Sequence, residues 1–259
     1  MSEATSNPPL PRTLEGRHVI VTGGGVGIGL GIVRRFAAAG ARVALTTHSR
    51  SADDVVAQLA DEGLDVLGLR FDATDSEQVT AAVDLLADRL GGLDVVVNNS
   101  GGLLARHTIA ETSDVHWDAV WRVNVSSTFY VSRAALRHLG EGGRIINISS
   151  LAGSNGGGNG SAPYATAKAA VDGFTRALAK EIAPHGITVN AIAPGLILDT
   201  PFHETFTPPA DQEKTIASIP VGRAGFPDDV AAAAEYFARD DSAFVTGTVL
   251  DLNGGVHFS

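Results

Sequence analysis

Tyr164 and Lys168 lie four residues apart in an alanine-rich stretch. On a helix that interval sends both side chains out of one face, towards one small volume. A free phenol, with a pKa of about 10, is a slow acid or base at neutral pH, and an ammonium beside it favours the phenolate. The pair can therefore exchange a proton with a substrate oxygen. A hydroxyl donor is available at Ser149 or Ser150. A second constellation is Thr22 to Gly29, TGGGVGIG, set between a β-branched run and a helical one. Glycines in that context let the backbone approach a pyrophosphate at a helix N-terminus, although the same residues also suit a plain turn.

These groups need a frame. From Arg17 the sequence alternates short β-branched runs with Ala/Leu-rich stretches, the pattern of consecutive βαβ units around a buried parallel sheet. Strands are predicted over 18–22, 42–47, 65–71, 93–98, 143–148, 187–192 and 245–252. Helices are predicted over 29–39, 52–62, 76–90, 117–139 and 164–183. LDVVVN, 93–98, is so free of polar interruption that both its faces must be covered. Two stretches interrupt the series: the glycine-rich GSNGGGNGSAP, 153–163, and 198–218, where Pro201, Pro208 and Pro209 prevent one continuous helix. With no linker, the fold class is a single-domain α/β Rossmann fold with seven parallel strands and helices on both faces, over 15–259. Residues 1–14 are expected to be a flexible arm.

Of the 259 residues, 44% are hydrophobic and 19% charged, enough apolar material for a sizeable core. A net charge of −10 with no local basic cluster argues against nucleic acid. The absence of cysteine removes disulfides, thiol nucleophiles and cysteine-ligated zinc, and fits a reducing compartment. Eight scattered histidines show no metal-binding spacing. No run approaches the roughly 18 apolar residues of a membrane span. The N-terminus has no secretory h-region, so a cytoplasmic protein is expected.

The T-G-x3-G-x-G spacing resembles the short-chain dehydrogenase/reductase family. So do Asn98-Asn99-Ser100-Gly101, Asn124 in NVS, Ser150, Tyr164-x-x-x-Lys168, Pro194-Gly195 and Asn253-Gly254-Gly255. The resemblance implies a catalytic set of Asn124, Ser150, Tyr164 and Lys168. Tyr164 would exchange the proton and Ser150 would bond the reacting oxygen. Lys168 would lower the phenol pKa and hold the nicotinamide ribose, and Asn124 would fix a water. Cofactor contacts would fall on Gly23, Gly27, Ile28, Gly29, Thr47, Ser49, Arg50, Asp72, Asn98, Gly101, Pro194, Gly195 and Ile197, besides Tyr164 and Lys168. After the second predicted strand comes Thr47-His48-Ser49-Arg50, without the acid that bonds a ribose 2′-OH, so NADP(H) is favoured over NAD(H).

Within that family the resemblance is nearest to 3-oxoacyl carrier-protein reductases and polyketide ketoreductases, through PVGRAGFPDDVA and VTGTVLDLNGG. It implies reduction of a ketone or 3-oxoacyl substrate. An NAD(P)+-dependent alcohol or sugar dehydrogenase, or a non-catalytic dinucleotide-binding regulator, are the alternatives. Substrate choice is expected to lie in 103–107 and in a lid over 198–218, with Arg106 or His107 able to meet an anion. The resemblance also implies a homotetramer, or a dimer.

Overall fold

A computed structural model describes residues 12–259. Seven strands form one parallel sheet: β1 (His18–Val21), β2 (Arg42–Thr47), β3 (Val66–Arg70), β4 (Val95–Asn98), β5 (Arg144–Ile148), β6 (Thr188–Pro194) and β7 (Val249–Leu252). Their order is β3-β2-β1-β4-β5-β6-β7, with registers such as Val19 opposite both Val43 and Val95. The helices are α1 (Gly27–Ala38), α2 (Ala52–Asp61), α3 (Ser76–Leu90), α4 (Asp114–Trp121), α5 (Ser127–Ala135), α6 (Ala152–Asn155), α7 (Ala162–Ile182), α8 (Pro201–Phe206), α9 (Pro209–Ser218) and α10 (Pro227–Ala238).

Successive strand residues point to opposite faces, so a strand apolar throughout feeds two cores. Val19, Val21, Val95, Val97 and Ile146 pack under α1, α2 and α10. Ile20, Val96, Ile145 and Val189 pack under α3, α5 and α7. On the first face α1 and α10 lie so close that a Cβ on Gly31 would stand 2.8 Å from Pro227 Cβ.

Several elements differ from the sequence expectation. The helix expected over 117–139 begins at Asp114, where Ser113 Oγ accepts the His116 N–H at 3.2 Å. It is broken by a π-helical turn at Arg122–Ser126 and ends at Ala135. The sequence pattern predicts no element over 227–238, which forms α10, opened by Pro227 and by Asp229 accepting the Phe226 N–H at 2.8 Å. The prolines of 198–218 split that stretch into α8 and α9, each with proline in its first turn. β7 is only the second half of the expected 245–252. Residues 1–11 of the expected arm lie outside the described residues. Leu14, at its end, is 1% exposed within the core, its N–H bonded to Ala39 O at 3.0 Å.

β1 lies between β2 and β4, so the chain turns in opposite directions from its two sides. This is the switch point at which open α/β sheets bind ligands, beyond the carboxyl ends of the strands.

Candidate active site

A cavity of about 580 Å³ opens at that switch point, over the ends of β1, β4, β5 and β6. One wall is the turn between β1 and α1. Gly23 has φ +63° and Gly27 has φ +51°, the left-handed region that glycine enters without strain. A Cβ on Gly29 would collide with Gly23 O and stand 2.5 Å from Asn99 Nδ2. Because the first bond inside α1 runs from Leu30 N to Val26 O (3.2 Å), the amides of Gly27, Ile28 and Gly29 have no partner within the helix. No side chain caps this end and no acid stands in its first turn. An uncapped helix end behind a glycine cradle fits the pyrophosphate of a dinucleotide.

Strand β5 and helix α7 place Ser150, Tyr164 and Lys168 on the cavity floor. Tyr164 hydrogen-bonds Ser150, and Ser150 Oγ accepts the Ala152 N–H at 3.1 Å. Burial pushes the Tyr164 phenol up to about 12, only partly offset by that Ser150 bond. Lys168 is 4% exposed and donates from Nζ to Ile148 O at 2.8 Å. Burial pulls it down to about 8, against the pull of Asp172 one helical turn on. Its Nζ lies 5.7 Å from the Tyr164 ring centre. Contrary to the expected lowering of the phenol by Lys168, burial sets the direction of its shift and the lowering that opposes it comes from Ser150. Ser149, the rival serine, is 3% exposed and turned away to Lys168 O (3.3 Å) and Asp172.

Asn124 sits inside the π-helical turn, a feature that often marks functional sites. Its Nδ2 donates to Val120 O (2.8 Å) and Gly102 O (2.9 Å), and its Oδ1 accepts the Gly102 N–H at 3.1 Å. Carbonyls loosened by the wide turn find side-chain partners: Ser127 Oγ donates to Val123 O (2.6 Å) and Thr128 Oγ1 to Asn124 O (2.8 Å). Gly101 lets Asn124 and Lys168 converge. A Cβ there would stand 2.7 Å from Asn124 Oδ1 and 3.1 Å from Lys168 Nζ.

The remaining residues singled out from the sequence divide into two groups, with Asn98 apart from both. Gly23, Gly27, Ile28, Gly29, Gly101, Pro194, Gly195 and Ile197 all line the cavity. Thr47, Ser49, Arg50 and Asp72 stand off its walls, at the ends of β2 and β3. There Thr47 Oγ1 is buried without a hydrogen-bond partner among the described residues, Arg50 Nη1 donates to Gly25 O at 2.9 Å, and Asp72 Oδ1 accepts from Thr74 N and Oγ1 at 2.8 Å each. Asn98 is turned the other way, donating to Ser132 Oγ (2.9 Å) and Asn147 Oδ1 (2.8 Å) beneath the sheet. Its neighbour Asn99 lines the cavity instead and ties down the glycine turn through Thr22 O (3.0 Å) and Gly23 O (3.1 Å). Strand alternation, carried one residue past the end of β4, holds the signal for that swap, since consecutive residues point to opposite faces.

α8 and α9 roof the cavity. Phe202 lies 5.6 Å from the Tyr164 ring centre and 5.5 Å from that of Phe206. His203, not singled out from the sequence, faces Thr207 Oγ1 from Nδ1 at 2.9 Å and bonds the Gly195 backbone. Burial, with Arg106 nearby, holds it down at about 4, so its imidazole is neutral at ordinary pH. Among the described residues no cluster of three or more His, Asp or Glu offers a metal site.

A family model described as Enoyl-(Acyl carrier protein) reductase matches residues 24–257. The 3-oxoacyl-[acyl-carrier-protein] reductase FabG of Haemophilus influenzae is 37% identical over 251 residues, covering 95% of this chain and all of that protein. A dehydrogenase/reductase of Sinorhizobium meliloti superposes with a TM-score of 0.89 at 35% identity, covering 95% of this chain and 97% of its own. A short-chain dehydrogenase of Burkholderia cenocepacia, solved in complex with NADP, superposes with a TM-score of 0.87 at 35% identity, covering 94% and 99%. With the switch-point cavity, the glycine turn and the Ser150–Tyr164–Lys168 floor in place, these matches identify the chain as a member of the short-chain dehydrogenase/reductase family, an oxidoreductase acting on carbonyl or CH–OH groups.

Proposed function

We propose that this chain is an NADPH-dependent carbonyl reductase acting on a ketone or 3-oxoacyl compound, with Tyr164 as the proton donor. The observation that carries this reading is the buried Tyr164 hydroxyl, paired with Ser150 and held neutral by its surroundings, at the foot of an open cavity. A neutral phenol is the form that gives a proton away, as reduction of a carbonyl requires. The names of the curated relatives, 3-oxoacyl-[acyl-carrier-protein] reductases, support the same direction.

Gly23, Gly27, Ile28 and Gly29 would hold the pyrophosphate, Thr47, Ser49 and Arg50 the adenosine end, and Lys168, Pro194, Gly195 and Ile197 the nicotinamide half. When bound, the dinucleotide supplies the hydride. Tyr164 Oη delivers its proton to the carbonyl oxygen. Ser150 Oγ donates a hydrogen bond to the same oxygen and stabilises its growing charge. Lys168, fixed by Ile148 O, places a cation beneath the phenol as it ionises. α8 excludes water through Phe202, whose ring covers that of Tyr164.

Thr47 and Arg50 favour the 2′-phosphate because no acid stands at the end of β2 to repel it, and the buried Thr47 Oγ1 has no other partner among the described residues. The outer face of α4 and α5 exposes Trp117 and Trp121, stacked at 6.4 Å, together with Phe129. Such a face favours a homotetramer, which light scattering tests. None of the described helices is long and apolar enough to cross a membrane.

The test is Tyr164→Phe assayed with NADPH and a panel of ketones. Loss of turnover by about a thousandfold or more, with NADPH binding retained by calorimetry, is expected. A variant as active as the parent would overturn the mechanism.

A further inference from the structure

Among the described residues the cavity is lined by two basic side chains, Lys168 and Arg106, and by no Asp or Glu, in a chain whose net charge is −10. Lys168 belongs to the reacting centre. Arg106 does not, and it has no carboxylate within ion-pair distance among the described residues. Its partners are two backbone carbonyls: Phe206 O at the end of α8, 3.3 Å from Nε, and Asn159 O in the glycine-rich loop, 3.0 Å from Nη1. A guanidinium carries five N–H donors, and these bonds use two of them. Nη2 has no protein partner among the described residues.

The backbone is shaped to hold Arg106 there. Leu104 has φ +63°, rare for a branched residue, within a γ-turn closed by Ala105 N to Leu103 O at 2.8 Å. Strain of this kind persists only where the surroundings impose it, and it gathers at ligand clamps. His107 N donates to Gly160 O at 3.1 Å, pinning the other side of Arg106. The glycine-rich loop is the bed for the side chain: a Cβ on Gly158 would press on Nη1 at 3.2 Å, and one on Gly160 would press on Arg106 Cβ at 3.2 Å.

We infer that Arg106 binds an anionic group on the substrate, so that the enzyme takes ketones carrying a carboxylate or phosphate at the end of an apolar segment. The aromatic row sets the reach. Tyr164 to Phe202 is 5.6 Å, Phe202 to Phe206 is 5.5 Å, and the Phe206 carbonyl rests on Arg106. The apolar part of the substrate runs beneath this row while its anion meets the free edge of the guanidinium. A fork of donors suits carboxylate and phosphate oxygens alike.

This inference rests on the carbonyl reductase reading, and the experiment separates the two. With NADPH, parent, Arg106→Ala and Arg106→Lys are assayed on 9-oxodecanoate, whose seven methylenes separate ketone from carboxylate, and its neutral methyl ester, then on a 3-oxohexanoyl thioester of coenzyme A and its phosphate-free N-acetylcysteamine analogue. For Arg106→Ala the expected result is a fall in kcat/KM of about tenfold or more on an anionic substrate, carried by KM, with the neutral counterpart unchanged within about twofold. Arg106→Lys restores part of the loss. An effect on the free acid assigns the anion to a carboxylate, and one confined to the coenzyme A thioester assigns it to phosphate. Equal losses on charged and neutral members of each pair would make Arg106 a strut for the lid and overturn the inference while leaving the reductase reading intact. A second readout does not need turnover: calorimetric titration of the Tyr164→Phe protein with 9-oxodecanoate and with the thioesters. Anion binding that vanishes with Arg106→Ala supports the inference even if no ketone is reduced, whereas binding indifferent to Arg106 overturns it.

Discussion

Replacing Asn124 by Leu keeps most of the side-chain volume and deletes three hydrogen bonds at a residue that is 0% exposed. Val120 O is buried and loses its side-chain donor at 2.8 Å, and a buried carbonyl left bare costs about 1–3 kcal/mol. The two bonds to Gly102, at 2.9 and 3.1 Å, lie nearer the surface, and each contributes about 1 kcal/mol. The loss should therefore come to about 4 kcal/mol, which for a domain of this size lowers the melting temperature by about 10 °C. Thermal and urea melts at matched protein concentration measure it. Thr128→Val, which removes only the hydroxyl on Asn124 O, should cost about a third as much. If Asn124→Leu melted within about 2 °C of the parent, the account of the π-helical turn as a structure held open by this one amide would be wrong.

Lys168→Met tests the buried ammonium. Its pKa near 8 in the folded protein lies below the ordinary 10.5, so between those values the unfolded chain binds the extra proton and stability rises with pH. The parent should gain up to about 3 kcal/mol over that window from this group, and the variant should lose that rise in chemical denaturation between pH 8 and 10. Gly29→Ala forces a Cβ onto Gly23 O, and is expected to weaken NADPH binding and lower stability by about 2 kcal/mol or more. A calorimetric titration equal to the parent's would refute the cradle. Arg50→Ala should raise the Kd for NADPH by about tenfold and leave that for NADH within about twofold. Equal changes for both would remove the argument from the end of β2.

The strands were legible because burial on both faces leaves no room for polar residues: VVVN in β4 and RIINI in β5 read as buried strands without help from context. Tyr164, Lys168, Ser150 and the glycine turn were legible from type and spacing, and the structure brings them to one cavity. α10 was missed because its signal is a run of alanines, Ala231 to Ala234, whose burial against α1 depends on Gly31 leaving space for Pro227. The π-helical turn leaves no periodic trace, since it adds one residue to a helix whose apolar stripe is already weak. Asn98 and Asn99 exchange parts because identical side chains at the last residue of β4 and the one after it face opposite ways. The neutral state of Tyr164 follows from desolvation, which only packing reveals. Arg106 was visible as a cation, but its seat on Gly158 and Gly160 links segments about fifty residues apart.

The strand order also bears on how this polypeptide assembles as it leaves the ribosome. β2 and β3 extend the sheet from one side of β1, and β4 to β7 join the other side one after another. Each newcomer finds a ready edge and none has to be threaded between established neighbours. The exception is α1, whose outer flank meets α10 at Gly31 and Pro227 and stays bare until nearly nine-tenths of the chain has been made. A nascent chain arrested before Pro227 should therefore present that flank to chaperones, and release should follow once α10 has left the ribosome.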